Sequence, residues 1–240
     1  MQAVVHKNED RGKGDVGWLK TRFSFSFADW YSPERMGFGV LRVLNDDSIL
    51  PNSGFPKHHH SNFEIITIVT KGVITHEDSL GNSKEVKEGE VQVMSAGTGV
   101  LHSEHNRGTE TLELFQIWIE TNKEDVPARY DQKAFLEKDR KNSWQLLVSE
   151  EGGPAPLFIY QDARLLRANL EKDKKLSYDF SKKGMGVYLF VIDGGIEVEG
   201  ISLEKRDALG IWDTSSITIF TKTPSEVLLI EVPILDQVHD

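Results

Sequence analysis

The sequence contains no cysteine. That removes disulfides, thiolate nucleophiles and thiolate metal ligands together. It has no run of about 20 apolar residues, so no membrane-spanning helix and no membrane partner are expected. The opening residues, MQAVVHKNEDRGKG, lack the apolar core of a secretory signal, and a cytoplasmic location is expected. Positive charge is in deficit: 38 acidic against 28 basic residues leave a net charge of −10 over 240 residues. A general nucleic-acid surface needs the opposite sign, so no direct nucleic-acid partner is expected. Neither G-x-x-x-x-G-K-[ST] nor G-x-S-x-G occurs, which leaves no phosphate-cradling loop and no nucleophile elbow. Long amphipathic helices are missing as well.

What remains is a chain of short β-type runs. They are Gly39–Leu44, Ile65–Thr70, Val91–Met94 and Leu112–Ile119, then Val187–Ile192, Ile196–Glu199, Ala208–Trp212, Ile217–Phe220 and Val227–Val232. Gly, Pro, Asp and Asn punctuate them at the intervals of sandwiches and barrels. Twelve Phe and five Trp can fill a core. Asp131–Lys141 reads as one short helix, and Arg164–Leu170 is open between helix and strand. The halves resemble each other: IVTKGVITHEDS matches FVIDGGIEVEG, and ETLELFQIWI matches SEVLLIEVPI. A polar stretch, roughly Thr121–Ser143, reads as the connector. The expectation is all-β: two small barrels, one over residues 1–130 and one over residues 131–240.

Histidine separates the halves. Seven of the eight precede residue 107, and only His239 lies beyond. Three are consecutive, His58, His59 and His60, just before the apolar run that starts at Ile65. A second group, His102, Ser103, Glu104 and His105, follows a Gly-rich turn. Residues i and i+2 of a strand share a face. His58 and His60 therefore face one way and His59 the other; His102 and Glu104 face one way and His105 the other. An H-x-H by itself is ordinary. Joined to an H-x-E about 40 residues later, it offers three imidazoles and a carboxylate around one point. That donor set suits Fe(II), Mn, Ni, Co, Cu or Zn and not Ca or Mg, which take oxygen shells. Four protein ligands leave coordination positions open, the mark of a reactive site. His76 reads as an ordinary strand residue, and His59 and His105 as solvent-facing or supporting.

These residues resemble the two cupin motifs, here Gly54, His58, His60, Glu64 and Gly72, then Gly89, Gly97, His102 and Asn106. FSFADWY, MGFGVLRVLNDD and MSAGTGVLHSEHN resemble segments of the pirin family of two-cupin proteins. The likeness is strong over about residues 8–130 and weaker beyond. It implies a bicupin of two tandem jelly-roll barrels, with one divalent metal in the N-terminal cupin and none in the C-terminal one. The implied ligands are His58, His60, His102 and Glu104, with Glu64 as a reserve ligand or supporting partner. Fe(II) is the first choice of metal, with Cu, Mn, Ni, Co or Zn as alternatives. The implied activity is that of quercetin 2,3-dioxygenase: O2 opens the central ring of a flavonol, with Glu104 the first candidate for the base and Glu64 the second. Phe25, Phe27, Phe38 and Met94 are candidates for the walls of a flat pocket. The rival implication is a non-enzymatic iron-binding protein that regulates or senses redox state through a protein partner.

Overall fold

FEIITIVTK is apolar at nearly every position, a pattern that requires cover on both faces of a strand. The computed structural model describes residues 1–234 and supplies that cover; His239 lies outside the described residues. In chain order the first half provides β1 (Gln2–His6), β2 (Gly12–Asp15), β3 (Leu19–Phe23), β4 (Leu41–Ile49), β5 (Ser53–His60) and β6 (Phe63–Lys71). It continues with β7 (Val73–Asp78), β8 (Ser83–Lys87), β9 (Glu90–Ser95), β10 (Val100–Asn106), β11 (Leu112–Glu120) and β12 (Arg129–Ala134). The second half provides β13 (Gln145–Glu150), β14 (Leu157–Ile159), β15 (Arg164–Leu170), β16 (Lys175–Asp179) and β17 (Met185–Asp193). It ends with β18 (Gly195–Val198), β19 (Ile201–Glu204), β20 (Ala208–Trp212), β21 (Ser216–Thr221) and β22 (Ser225–Pro233). Each β-run expected from the sequence contains a strand, although Gly39, Val40 and Glu199 fall in turns, and Arg164–Leu170 is a strand too.

Each cupin is a jelly roll of two facing sheets. The first pairs a seven-stranded sheet, β12-β9-β6-β11-β4-β3-β2, with a four-stranded one, β5-β10-β7-β8. The second repeats this as β1-β20-β17-β22-β15-β13-β14 and β16-β21-β18-β19. The large sheets pack against each other through one core that includes Ile66, Ile68, Phe115, Ile117, Tyr188, Phe190 and Leu228. Along β6 the even residues enter that core, while Ile65, Thr67 and Val69 face the interior of the first cupin. The second cupin's interior is filled by apolar side chains such as Val187, Leu189, Leu209, Ile217 and Ile219.

Two strands cross the expected border between residues 130 and 131. β12 pairs with β9 from Arg129 to Ala134, so the first cupin's sheet extends past residue 130. The helix expected over Asp131–Lys141 is therefore a strand, followed by a short 3-10 turn at Glu137–Arg140. Its hydrogen bonds come from β9, which the local sequence does not announce. Reciprocally, β1 pairs with β20 and takes in the second large sheet the edge place that β12 takes in the first.

His6 anchors β1 there. Its Nδ1 lies 2.9 Å from the Tyr188 hydroxyl, in a buried setting. Burial, with the Arg35 guanidinium nearby, pushes its pKa down from 6.5 to about 4. The unfolded chain protonates His6 near 6.5 and the folded chain does not. The neutral ring's contribution is thus fully present above that pH and is lost as pH falls through 6.5 toward 4, by about 3 kcal/mol in all. Denaturation midpoints of the wild type and His6→Gln, measured from pH 7 to pH 4, should converge by that amount as the wild type loses ground. Parallel profiles would show that His6 does not stay neutral in the fold.

Candidate metal centre

β5 lies at the edge of the small sheet and pairs with β10 antiparallel, with His58 opposite His102. The register then shifts, so that Glu104 faces Phe55. Pro56 falls at this irregularity, where its missing N–H costs no ladder bond. Gly54 permits the close approach of the two strands: a Cβ there would sit 2.2 Å from the Glu104 carbonyl oxygen.

The parity argument holds for the histidines. His58, His60 and His102 each bring a ring nitrogen to one spot, all within 4.8 Å of one another. The His58 and His102 Nε2 atoms are 3.0 Å apart. His59 is exposed, and His105 lies on the other side of β10, half-buried. The Pro56 carbonyl accepts from His58 Nδ1 at 2.9 Å, which leaves the Nε2 lone pair directed at the cluster. Burial, aided by the neighbouring rings, pushes His60 down to about 4 and His102 down to about 3. Both rings are therefore neutral near pH 7, as metal ligation requires.

Glu104 is buried beside them and shares a second cluster with His102 and His76. Its carboxylate is held from the large sheet. Gln116 Nε2 donates to Oε2 at 3.0 Å, and Gln92 Nε2 and the Thr67 hydroxyl donate to Oε1. Three neutral donors from β9, β6 and β11 thus fix one carboxylate opposite three imidazoles.

His76 is the site residue that sequence reasoning passed over. It is fully buried on β7, directly opposite Glu104 on β10. Its Nε2 donates to Asp78 Oδ2 at 3.0 Å, and its ring stacks on Tyr130 with centroids 4.5 Å apart. Tyr130 comes from β12, within the stretch expected to be only a connector. The signal for His76 was the i, i+2 pair with Asp78, a histidine with its own orienting carboxylate. The Nδ1 atoms of His76 and His102 are both buried without a partner among the described residues, in rings 5.4 Å apart. Removing a group that orients a ligand histidine typically costs 10–100-fold in metal affinity. His76→Ala and Asp78→Ala should each weaken metal binding by about 10–100-fold, read by competition with a chelator. Unchanged affinity in both would detach this pair from the site.

Glu64 is elsewhere. Ile65 and Thr67 face the cupin interior, so Glu64 projects from the opposite face of β6. There its carboxyl accepts from Ser95 Oγ at 2.6 Å, and burial raises its pKa. The left-handed turn at Asn62 separates β5 from β6, and parity does not carry across it.

The histidines and Glu104 open onto a cavity of about 770 Å³, within the range of small-molecule sites. Leu19, Phe23, Phe27, Trp30, Phe55 and Trp118 make its walls largely apolar and aromatic. Of the four expected wall residues only Phe27 is there. Phe25 and Phe38 belong to the core between the large sheets, and Met94 packs with Ile65, Ala96 and Val100.

Converging imidazole nitrogens, a fixed carboxylate and orphaned ring nitrogens together fit a divalent transition metal. Two jelly rolls with such a cluster, among the described residues, in the first alone define a bicupin metalloprotein. A family model described as Pirin matches residues 4–119, and one described as Quercetinase C-terminal cupin domain matches residues 146–232. The chain is 40% identical over 230 residues to a quercetin 2,3-dioxygenase of Escherichia coli K12, covering 95% of this chain and 98% of that one. It is 44% identical over 221 residues to a pirin-like protein of Caulobacter vibrioides, covering 92% and 95%. The crystal structure of the bacterial pirin YhhW from Escherichia coli, in complex with nickel(II), superposes with a TM-score of 0.91 at 38% identity, covering 98% of this chain and 100% of that one. The chain belongs to the pirin family.

Proposed function

We propose that this protein is a metal-dependent dioxygenase that opens the central ring of flavonols such as quercetin. The observation that carries the reading is the convergence of His58, His60 and His102 at the wall of an aromatic cavity that Glu104, grouped with His102 and His76, also lines. A quercetin 2,3-dioxygenase among its relatives supports the substrate class. His58, His60, His102 and Glu104 would hold one metal per chain. Bound there, the metal supplies a Lewis acid and a redox-capable centre for reaction with O2.

The protein's own residues do the rest. The aromatic walls, Phe27 and Trp118 among them, accept a flat ring system and exclude water. Trp118 stands edge-on to His60 with centroids 4.8 Å apart, so a planar ligand packed on it lies beside the histidines. Glu104 accepts the proton of the flavonol 3-hydroxyl, a general-base step. Gln92 and Gln116 keep its carboxylate aimed while that proton arrives. The second cupin lends its large sheet as the rigid backing of the first.

The test is aerobic turnover of quercetin by the metal-loaded protein, with carbon monoxide and the depside measured as products. No reaction under air with any of Fe(II), Mn, Ni, Co, Cu or Zn would overturn the reading. Equal turnover with and without O2 would also overturn it.

A further inference from the structure

The inner face of the first large sheet carries a row of polar side chains that crosses the strands. Gln132, Gln92, Thr67, Gln116 and Asn45 are successive partners on β12, β9, β6, β11 and β4. Buried polar groups need hydrogen-bond partners. Four of the five have them: Gln92, Thr67 and Gln116 converge on Glu104, and Gln132 accepts from Tyr130 at 2.7 Å.

The row then runs out of protein to bind. Among the described residues, Asn45 Oδ1 has no partner. Neither has Asp47 Oδ1, two residues along the same face of β4, nor Thr21 Oγ1, directly opposite Asp47 on β3. These side chains are only 4%, 5% and 7% exposed. All three line the cavity that the histidine cluster enters. Asn45, Asp47 and the facing Thr21, whose hydroxyl lies close enough to the Asp47 carboxyl to pull its pKa down against burial, present buried polar atoms to a cavity whose walls include Leu19, Phe23 and Trp30, a place suited to another molecule's hydroxyls.

We propose that Thr21, Asn45 and Asp47 form a hydroxyl-recognition subsite, which binds the ring hydroxyls of a planar polyphenol whose metal-directed end lies at the histidines. The inference rests on the flavonol reading and specifies it: the substrate is polyhydroxylated, not a bare flavonol. The chemistry matches. A carboxyl accepts a phenolic O–H, an amide both donates and accepts, and a threonine hydroxyl does either. Burial lifts Asp47 to about 7, so near neutrality it can accept from one phenol or donate to another. A site built to bond a hydroxyl rejects the analogue that lacks it, because its own polar groups are then left unpaired.

The test compares quercetin with 3-hydroxyflavone, which keeps the 3-hydroxy-4-keto end and lacks the other ring hydroxyls. Affinities are read by tryptophan fluorescence on the metal-loaded full-length protein without O2. The wild type should prefer quercetin by about 10–100-fold. Asn45→Leu and Asp47→Leu should each weaken quercetin about 10-fold, leave 3-hydroxyflavone within about 2-fold, and keep the metal content. Should the leucine variants not fold, Asp47→Asn and Thr21→Val keep the shape and should narrow the preference in the same direction. Equal wild-type affinities, equal losses for both compounds, or binding of neither would overturn the subsite. Hydroxyl-dependent binding without ring opening in air would overturn the dioxygenase reading and leave the subsite standing. Ring opening with indifferent binding would do the reverse.

Discussion

Alanine in place of His58, His60 or His102 is expected to strip the protein of its metal. Each supplies a ring nitrogen to the same 4.8 Å cluster. Loss of a ligand should exceed the roughly 10–100-fold penalty expected for a neighbour such as His76, whose ring lies 5.4 Å from that of His102. His59→Ala and His105→Ala should keep full metal, because His59 is exposed and His105 leaves β10 on the other side. The measurement is metal per chain by elemental analysis after dialysis against a weak chelator. Equal loss in His59→Ala and His60→Ala would mean that β5 is not held in the register that sets His58 opposite His102.

The second large effect concerns the proton. Glu104→Gln keeps the size and one oxygen of the side chain but removes its charge. Both oxygens accept from amide donors, so the new side-chain NH2 faces Gln92 or Gln116 and is accommodated only if that amide turns over. Turnover of quercetin per bound metal should fall by about 10²–10⁴, the usual worth of a general base. Glu64→Gln should change little, since that carboxyl bonds Ser95 on the far face of β6. Near-normal turnover per metal in Glu104→Gln would show that the 3-hydroxyl proton leaves by another route. A dead Glu64→Gln with intact metal would move the base across the sheet, against the geometry.

The strands with strong local patterning were legible in advance. β6, β11, β17 and β22 are central and covered on both faces, so their apolar runs announce them. The histidine pairs were legible because each lies within one strand, where period-two alternation holds. Glu64, the reserve ligand, faces away from the histidines because the turn at Asn62 intervenes and alternation restarts in β6. His76 was passed over because its place comes from β7 pairing with β10, a contact between strands that no local run encodes. The same reason hid β12. It is an edge strand with one covered face, and RYDQKA carries too few apolar residues to declare itself.

The placement of β1 and β12 has an evolutionary and practical consequence. Each half of the chain opens with a strand that completes the other half's large sheet. This is the topology that fusion of a strand-swapped homodimer produces: two copies of one cupin, each lending its leading strand to its twin, later joined end to end. The halves are therefore not separable modules. A fragment ending at residue 130 would carry β1 with no sheet to receive it and would cut through β12. Such a piece presents open edges at both places, and open edges recruit other chains. Isolated halves should associate with each other or aggregate, and re-form the native pair only when mixed.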